Sequence, residues 1–301
     1  MSMLSRAAMA LALTLAAGCT SSGPRPETVL ASDQGGPFAL VSDGTFLYWT
    51  NSTGGQVMRM PLAGGTPEQR ISGQSQPQGI ALSSTHVFWA NRGSQTIMKA
   101  PLAGGEPVVV ATGQMDPEGL AVGGDFLFWA DGFTVMKKVP LTNGAASAVS
   151  NDSTGPKDVA TNATHVYWSN ADGTIRRAPL AGGTQEILAK VGQNATSLAL
   201  DDTHVYWTTF FGAINRFPLA PGGSVEILSE DENHPRSIVV DGSFIYWAAG
   251  SKDGTIRRRP LSGGKAETFA AEQAEPSGLV LDSGNLYWVN QASGTVVRAP
   301  K

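Results

Sequence analysis

Phe46-Leu47-Tyr48-Trp49-Thr50-Asn51 is the decisive stretch, because a close relative of it returns six more times along the chain. All seven tryptophans fall at one phase of this repeat: Trp49, Trp89, Trp129, Trp168, Trp207, Trp247 and Trp288, separated by 40, 40, 39, 39, 40 and 41 residues. Around each Trp the residues are nearly all apolar, as in Phe126-Leu127-Phe128-Trp129 and His204-Val205-Tyr206-Trp207. A strand that does not alternate apolar with polar buries both of its faces.

A period near 40 residues made of short strands and turn residues is that of propeller blades, typically four strands each. In the second repeat, residues 79–82 form the inner strand, 86–90 the second, 96–100 the third and 107–111 the outer one. Inner strands carry small residues, Ala81, Ala121, Ala160 and Ala199, as a ring narrowing to an axis requires. Gly64-Gly65, Gly104-Gly105, Asn143-Gly144, Gly182-Gly183, Gly222-Gly223 and Gly263-Gly264 supply tight hairpins, with Asp172-Gly173, Asp241-Gly242 and Asp253-Gly254 elsewhere. The last repeat ends after its third strand, residues 295–299, while Glu27-Thr28-Val29-Leu30-Ala31 reads as an outer strand with no blade before it. The N-terminal strand is therefore expected to complete the last blade and remove two sheet edges. The expected fold is all-β: one seven-bladed propeller of four-stranded antiparallel blades over residues 27–301.

The rest of the composition suits that fold. The 301 residues are 41% hydrophobic and 15% charged, an ordinary globular balance. A formal net charge of −4, or −5 once a leader carrying only Arg6 is removed, lacks the basic footprint of a nucleic-acid binder. With Cys19 as the single cysteine, no intramolecular disulfide can form, so closure rests on packing and strand pairing. A monomer is expected.

Arg6 precedes a short apolar run, residues 7–18, too short to span a bilayer but suited to export. The sequence Leu15-Ala16-Ala17-Gly18-Cys19 resembles the bacterial lipoprotein signal, although Ala16 stands where that family usually has leucine. The resemblance implies a signal peptide over residues 1–18, lipidation of Cys19 and a polar tether over 19–26. Thr20 after the cysteine is similar to outer-membrane lipoproteins, so the outer membrane is the expected location.

Tyr48-Trp49-Thr50-Asn51 with Val57-Met58-Arg59-Met60-Pro61-Leu62-Ala63-Gly64 resembles the YWTD repeat of LDL-receptor-type propellers over residues 27–301. That family has six blades, and its motif aspartate is here Asn51, Asn91, Asn170 and Asn290, with Asp131 retained and Thr209 and Ala249 elsewhere. Pro77-Gln78-Gly79-Ile80-Ala81 is also similar to NHL-type and streptogramin-lyase-type propellers, the latter with seven blades. One fold hosts many functions, so the resemblance implies the fold and not an activity.

Loops between blades and loops joining second to third strands should share one face, where a site is expected. Equivalent positions just after the interblade loops hold Phe38, Gln78, Glu118, Lys157, Thr196, Arg236 and Ser277, with Asp158 following Lys157, and nearby loops add Arg92, Phe133, Phe210 and Phe211. Gln78, Glu118, Lys157, Asp158, Phe210, Phe211 and Arg236 are the binding candidates, since aromatics beside charges can grip a peptide or glycan. His86, His165 and His204 each open the same strand of a separate blade and read as structural. His234 lies near Glu232 but lacks the second histidine and the His-x-Glu pattern of streptogramin lyases. A gluconolactonase-like ion site would need Glu118, Asp158 and Asp131, which Lys157 and Arg236 oppose. There is no Gly-x-Ser-x-Gly elbow. The expectation is a membrane-anchored, extracytoplasmic binding or scaffold propeller for a protein or glycan, without cofactor or metal. The alternative is a lactonase-like hydrolase or streptogramin-lyase-like enzyme on the same face.

Overall fold

A computed structural model describes residues 25–132, 135–142, 144–150, 154–192 and 194–301. The proposed signal segment, Cys19, most of the tether, Phe133 and Asn143 lie outside the described residues. The described chain forms seven four-stranded antiparallel sheets, each running inner to outer in sequence order except the last. We number the blades by their inner strands: Pro37–Ser42, Pro77–Leu82, Pro117–Gly123, Pro156–Thr161, Ala195–Leu200, Ser237–Val240 and Pro276–Leu281 for blades 1 to 7. In blade 7 the outermost strand is Thr28–Ala31, paired antiparallel with Thr295–Pro300. The ring thus closes through its two ends, as the split repeat required.

The second strand of each blade explains the ring. Within Phe46–Asn51, Tyr48 points to one side and Trp49 to the other, following the two-residue period of a strand. Tyr48, Val57 and Ile71 of blade 1 join Ile80, Val87 and Trp89 of blade 2 in one core cluster. Trp49 and Leu47 join Tyr287, Val289 and Val296 of blade 7 in another. Among the described residues the core divides into seven such clusters, one at every interface between blades. All seven indoles and all five tyrosine rings are buried in them. A sheet sandwiched between two neighbours has no solvent face, hence the unbroken apolar run.

Toward the axis, the small residues that matter lie two places before the alanines expected from sequence: Ala39, Gly79, Gly119, Ser197, Ser237 and Gly278, with Asp158 the exception. A Cβ on Gly79 would fall 1.8 Å from the Glu118 carbonyl oxygen, so no other residue fits there. Ser277 Oγ donates to the Phe38 carbonyl (2.9 Å) and closes the inner ring between blades 7 and 1.

The interblade loops repeat a second device. Each of several ends in a positive-φ residue directly before the proline that leads into the inner strand: Gly36, Gln76, Asp116, Gly155, His234 and Glu275. Earlier in the loop a second left-handed residue, such as Gly73 or Glu272, precedes a glutamine. That glutamine reaches the next blade. Trp49 Nε1 donates to Gln34 Oε1 (3.1 Å), Trp89 to Gln74 (2.9 Å), Trp129 to Gln114 (2.9 Å) and Trp288 to Gln273 (2.8 Å). Each glutamine's Nε2 donates to the carbonyl two residues before it, leaving Oε1 to accept.

The same oxygens accept from the motif asparagines, Asn51 (3.1 Å), Asn91 (2.9 Å) and Asn290 (2.9 Å). Where the motif keeps Asp131, an acid could not donate. Lys137 enters there, 2.5 Å from Asp131 and 3.0 Å from Gln114 Oε1, and supplies the missing protons.

Candidate functional site

The inner strands open at one end into a cavity of 610 Å³, within the range of ligand-binding clefts. Its wall includes Phe38, Glu118, Lys157, Thr196, Arg236 and Ser277, six of the seven equivalent positions. Phe210, from the hairpin after the second strand of blade 5, lines it too, so the two kinds of loop do share a face. Gln78 is placed elsewhere than expected. In the tight seam that Gly79 allows it is enclosed, 7% exposed, and its carbonyl accepts from Thr50 Oγ1 at 2.6 Å.

One side of the mouth is ionic. Glu118 and Lys157, on blades 3 and 4, stand 3.9 Å apart. Burial raises the Glu118 pKa above the ordinary carboxylate range, with Lys157 pulling the other way. Arg92 is paired with Asp116 at the outer edge of the same side.

Asp158 belongs to the cavity wall, but its carboxylate works as a brace. Oδ2 accepts from Ser197 Oγ (3.0 Å) and from the Leu198 amide (2.9 Å) of blade 5, and Oδ1 accepts from Val159 N (2.8 Å). Burial raises its pKa, and these three hydrogen bonds oppose the rise. Ser237 Oγ makes the equivalent reach to Leu279 N (3.1 Å) between blades 6 and 7. Asp158 therefore joins blades, and Gly119 leaves room for it: a Cβ on that glycine would lie 2.7 Å from Asp158 Oδ1.

The other side is aromatic. Phe210 meets His234 edge-on, centroids 5.2 Å apart at 82°, and Phe211 at 5.4 Å and 88°. His234 was not among the binding candidates. Its position directly before Pro235, with φ 47°, is the loop device described above, and three-dimensional proximity to Phe210 is what brings it to the mouth. Phe211 stands outside the cavity wall and is 71% exposed. Arg236, exposed, lines the cavity two residues further on. Asn194 and Gln291 also line it, and Gln291 Nε2 donates to Ser277 Oγ (3.0 Å).

The strand-opening histidines do not converge. His86, His165 and His204 sit on separate blades, each ring 5.9–6.2 Å from the next aromatic of its own strand, with Nδ1 2.8 Å from the preceding threonine hydroxyl. Asp131 is held in the Lys137 network. Among the described residues no three His, Cys, Asp or Glu side chains gather at metal-binding spacing.

No protein-family model matches the chain. No curated protein matches it in sequence either. Solved structures do match in shape. Virginiamycin B lyase from Staphylococcus aureus superposes with a TM-score of 0.78 at 13% identity, over 92% of this chain and 98% of that one. The computationally designed Ika8 protein gives 0.69 at 14%, over 91% and 98%. A chain of the nidogen/laminin complex gives 0.57 at 18%, over 75% and 93%. At such identities, what these proteins share with the chain is the β-propeller fold.

Proposed function

We propose that this chain is an exported, membrane-tethered binding propeller that holds a protein or glycan partner at the channel mouth. The observation that carries the reading is the aromatic cluster of Phe210, Phe211 and His234 beside Arg236, on the rim of a 610 Å³ cavity. Large exposed rings on a rigid scaffold favour contact with a partner, because desolvating them is favourable and their loops are already ordered. Variety among otherwise equivalent positions supports the same reading: the core repeats Trp on every blade, whereas the six equivalent positions that line the mouth hold six different side chains. Lipidation of Cys19 would tether the ring at the outer membrane through the short polar segment before residue 27.

The test is a joint Lys157→Ala, Arg236→Ala, Phe211→Ala variant, checked for unchanged melting and crosslinked in the native membrane. Recovery of native partners should fall several-fold and weaken with salt in the parent protein. Undiminished recovery would move the site to another surface. Cys19→Ser should shift the protein from the membrane to the soluble fraction; retention on the membrane would remove the tether from the proposal.

A further inference from the structure

Arg236 differs from every other arginine among the described residues. Arg59, Arg70, Arg92, Arg176, Arg177, Arg216, Arg257 and Arg258 face carboxylates. Arg259 and Arg298 donate to carbonyls, and Arg25 lies over the Phe269 ring. Arg236 has no side-chain partner, although it lines the cavity and its backbone is pinned by a hydrogen bond from its amide to the Ala248 carbonyl (3.0 Å). A guanidinium held open at a cavity wall is a receptor for one planar carboxylate. On the same cavity wall, Phe210 is 48% exposed and backed by His234 and Phe211, so an apolar group attached to that carboxylate has a surface to cover. His234 commits Nδ1 to Asn233 Oδ1 (2.8 Å), leaving Nε2 as the ring nitrogen able to accept an N–H.

Two features narrow the class. Lys157 and Arg236 are balanced on the cavity wall by Glu118 and Asp158, with Lys157 beside Glu118, so the wall has no cationic excess for a multiply charged anion, whereas a single carboxylate needs only Arg236. All seven tryptophans and all five tyrosines are buried in the core, so the rim offers only phenylalanine and histidine rings. Phenylalanine lacks the polar handle with which a ring engages hydroxyl-rich partners, and it suits an apolar side chain instead.

We propose that this side of the mouth captures the C-terminus of a peptide chain ending in a large apolar residue, its carboxylate on Arg236 and its last side chain against Phe210 and Phe211. This rests on the binding reading above and names the ligand class for that site.

The test uses the full chain in detergent and four probes in calorimetric titration: N-acetyl-glycyl-phenylalanine as free acid, the same compound as C-terminal amide, N-acetyl-glycyl-glycine, and phenylacetate. The free acid should bind, and the amide and the glycine compound should each bind at least about tenfold more weakly. Arg236→Ala and Phe210→Ala should each cost about tenfold in free-acid affinity with melting unchanged, and Arg236→Lys should recover part of the loss. Equal binding of acid and amide, or parental affinity in Arg236→Ala, would overturn the proposal. Phenylacetate binding as tightly as the peptide acid would overturn its peptide part. If partner recovery depends on the mouth while acid and amide bind alike, the binding function stands and the C-terminus assignment fails.

Discussion

Gln74 shows how much a single side chain decides in this ring. Its Oε1 is the shared acceptor for Trp89 Nε1 and Asn91 Nδ2, both enclosed between blades 1 and 2. Gln74→Leu keeps the volume but orphans two buried donors, each costing about 1–3 kcal/mol, so a loss of about 2–6 kcal/mol in the unfolding free energy measured by denaturant titration is expected. Glu226→Gln, which breaks the surface pair with Arg216, should cost under about 1 kcal/mol, because the carboxylate is half exposed. If both variants cost the same, the glutamine latch is not a structural element. Trp129→Ala and Trp168→Ala, in neighbouring blades with fully enclosed indoles, should each lose about 3–5 kcal/mol. At blades 5 and 6 the latch is not made: Gly192 and Glu232 stand 15 residues before Trp207 and Trp247, and these two indole nitrogens have no partner among the described residues. The latch was visible as a glutamine 15 residues before four of the tryptophans, a spacing with no meaning until the loop's left-handed residues bring it onto the next blade.

Within a blade, the hairpin between first and second strands is organised by one acid. In blade 7, Asp282 Oδ1 accepts from the Gly284 and Asn285 amides (both 2.7 Å) while Oδ2 accepts from the Tyr287 hydroxyl (2.6 Å). Burial alone would raise the Asp282 pKa; the hydrogen bonds from Tyr287 and the two amides outweigh it and hold the group below its ordinary 3.8. Burial, reinforced by the Asp282 hydrogen bond and charge, pushes Tyr287 up to about 12. The signs follow. The acid's contribution is present above about pH 4 and lost as pH falls through its lowered folded value; the phenol's is present below about pH 10 and lost as pH rises toward 12. Asp282→Asn should therefore melt lower than the parent at pH 7, with the gap narrowing as pH drops below about 3.8. A gap that stays constant from pH 7 to pH 2 would remove the Asp282 carboxylate from the acid-sensitive set. The same acid-and-tyrosine geometry recurs as Asp201 with Tyr206 and Asp43 with Tyr48. Burial would raise the Asp201 carboxyl, but hydrogen bonds from Tyr206, Thr203 and His204 outweigh it and hold the group below its ordinary value too, so Asp201 adds to the acid limb of the whole protein.

For the whole molecule, closure is the property that no blade has alone. Thr28–Ala31 covers the edge of Thr295–Pro300, and Ala31 packs with Tyr287, Val289 and Trp49 across the joint between blades 7 and 1. A ring of third-strand cations adds to it: Arg59 reaches the Leu102 carbonyl (3.4 Å), Lys138 that of Leu180 (2.9 Å), and Arg298 that of Leu62 (3.4 Å), the last crossing the closure. Deleting residues 27–31 exposes a sheet edge and opens the joint, so melting should fall by on the order of 10 °C, several kcal/mol in a chain of this size. An unchanged melting temperature in the truncated protein would contradict closure through the termini.

The number of blades, their strands and their joining at the termini were legible in the sequence because each rests on local chemistry repeated seven times. The Trp phase, the glycine hairpins and the orphan strand at residues 27–31 need no distant partner to be recognised. The candidate mouth was legible as a set of equivalent positions, since a repeat places like residues on like faces. What each side chain does there was decided only by the tertiary structure. Asp158 reads as a free acid along the chain but braces Leu198 of the next blade, while Gln78 is enclosed by the approach of blade 3 across Gly79. His234 meets Phe210 although 24 residues separate them. The physical reason is common to all three: curvature sets which neighbouring blade comes within hydrogen-bonding or ring-contact distance, and it arises from packing all seven interfaces at once.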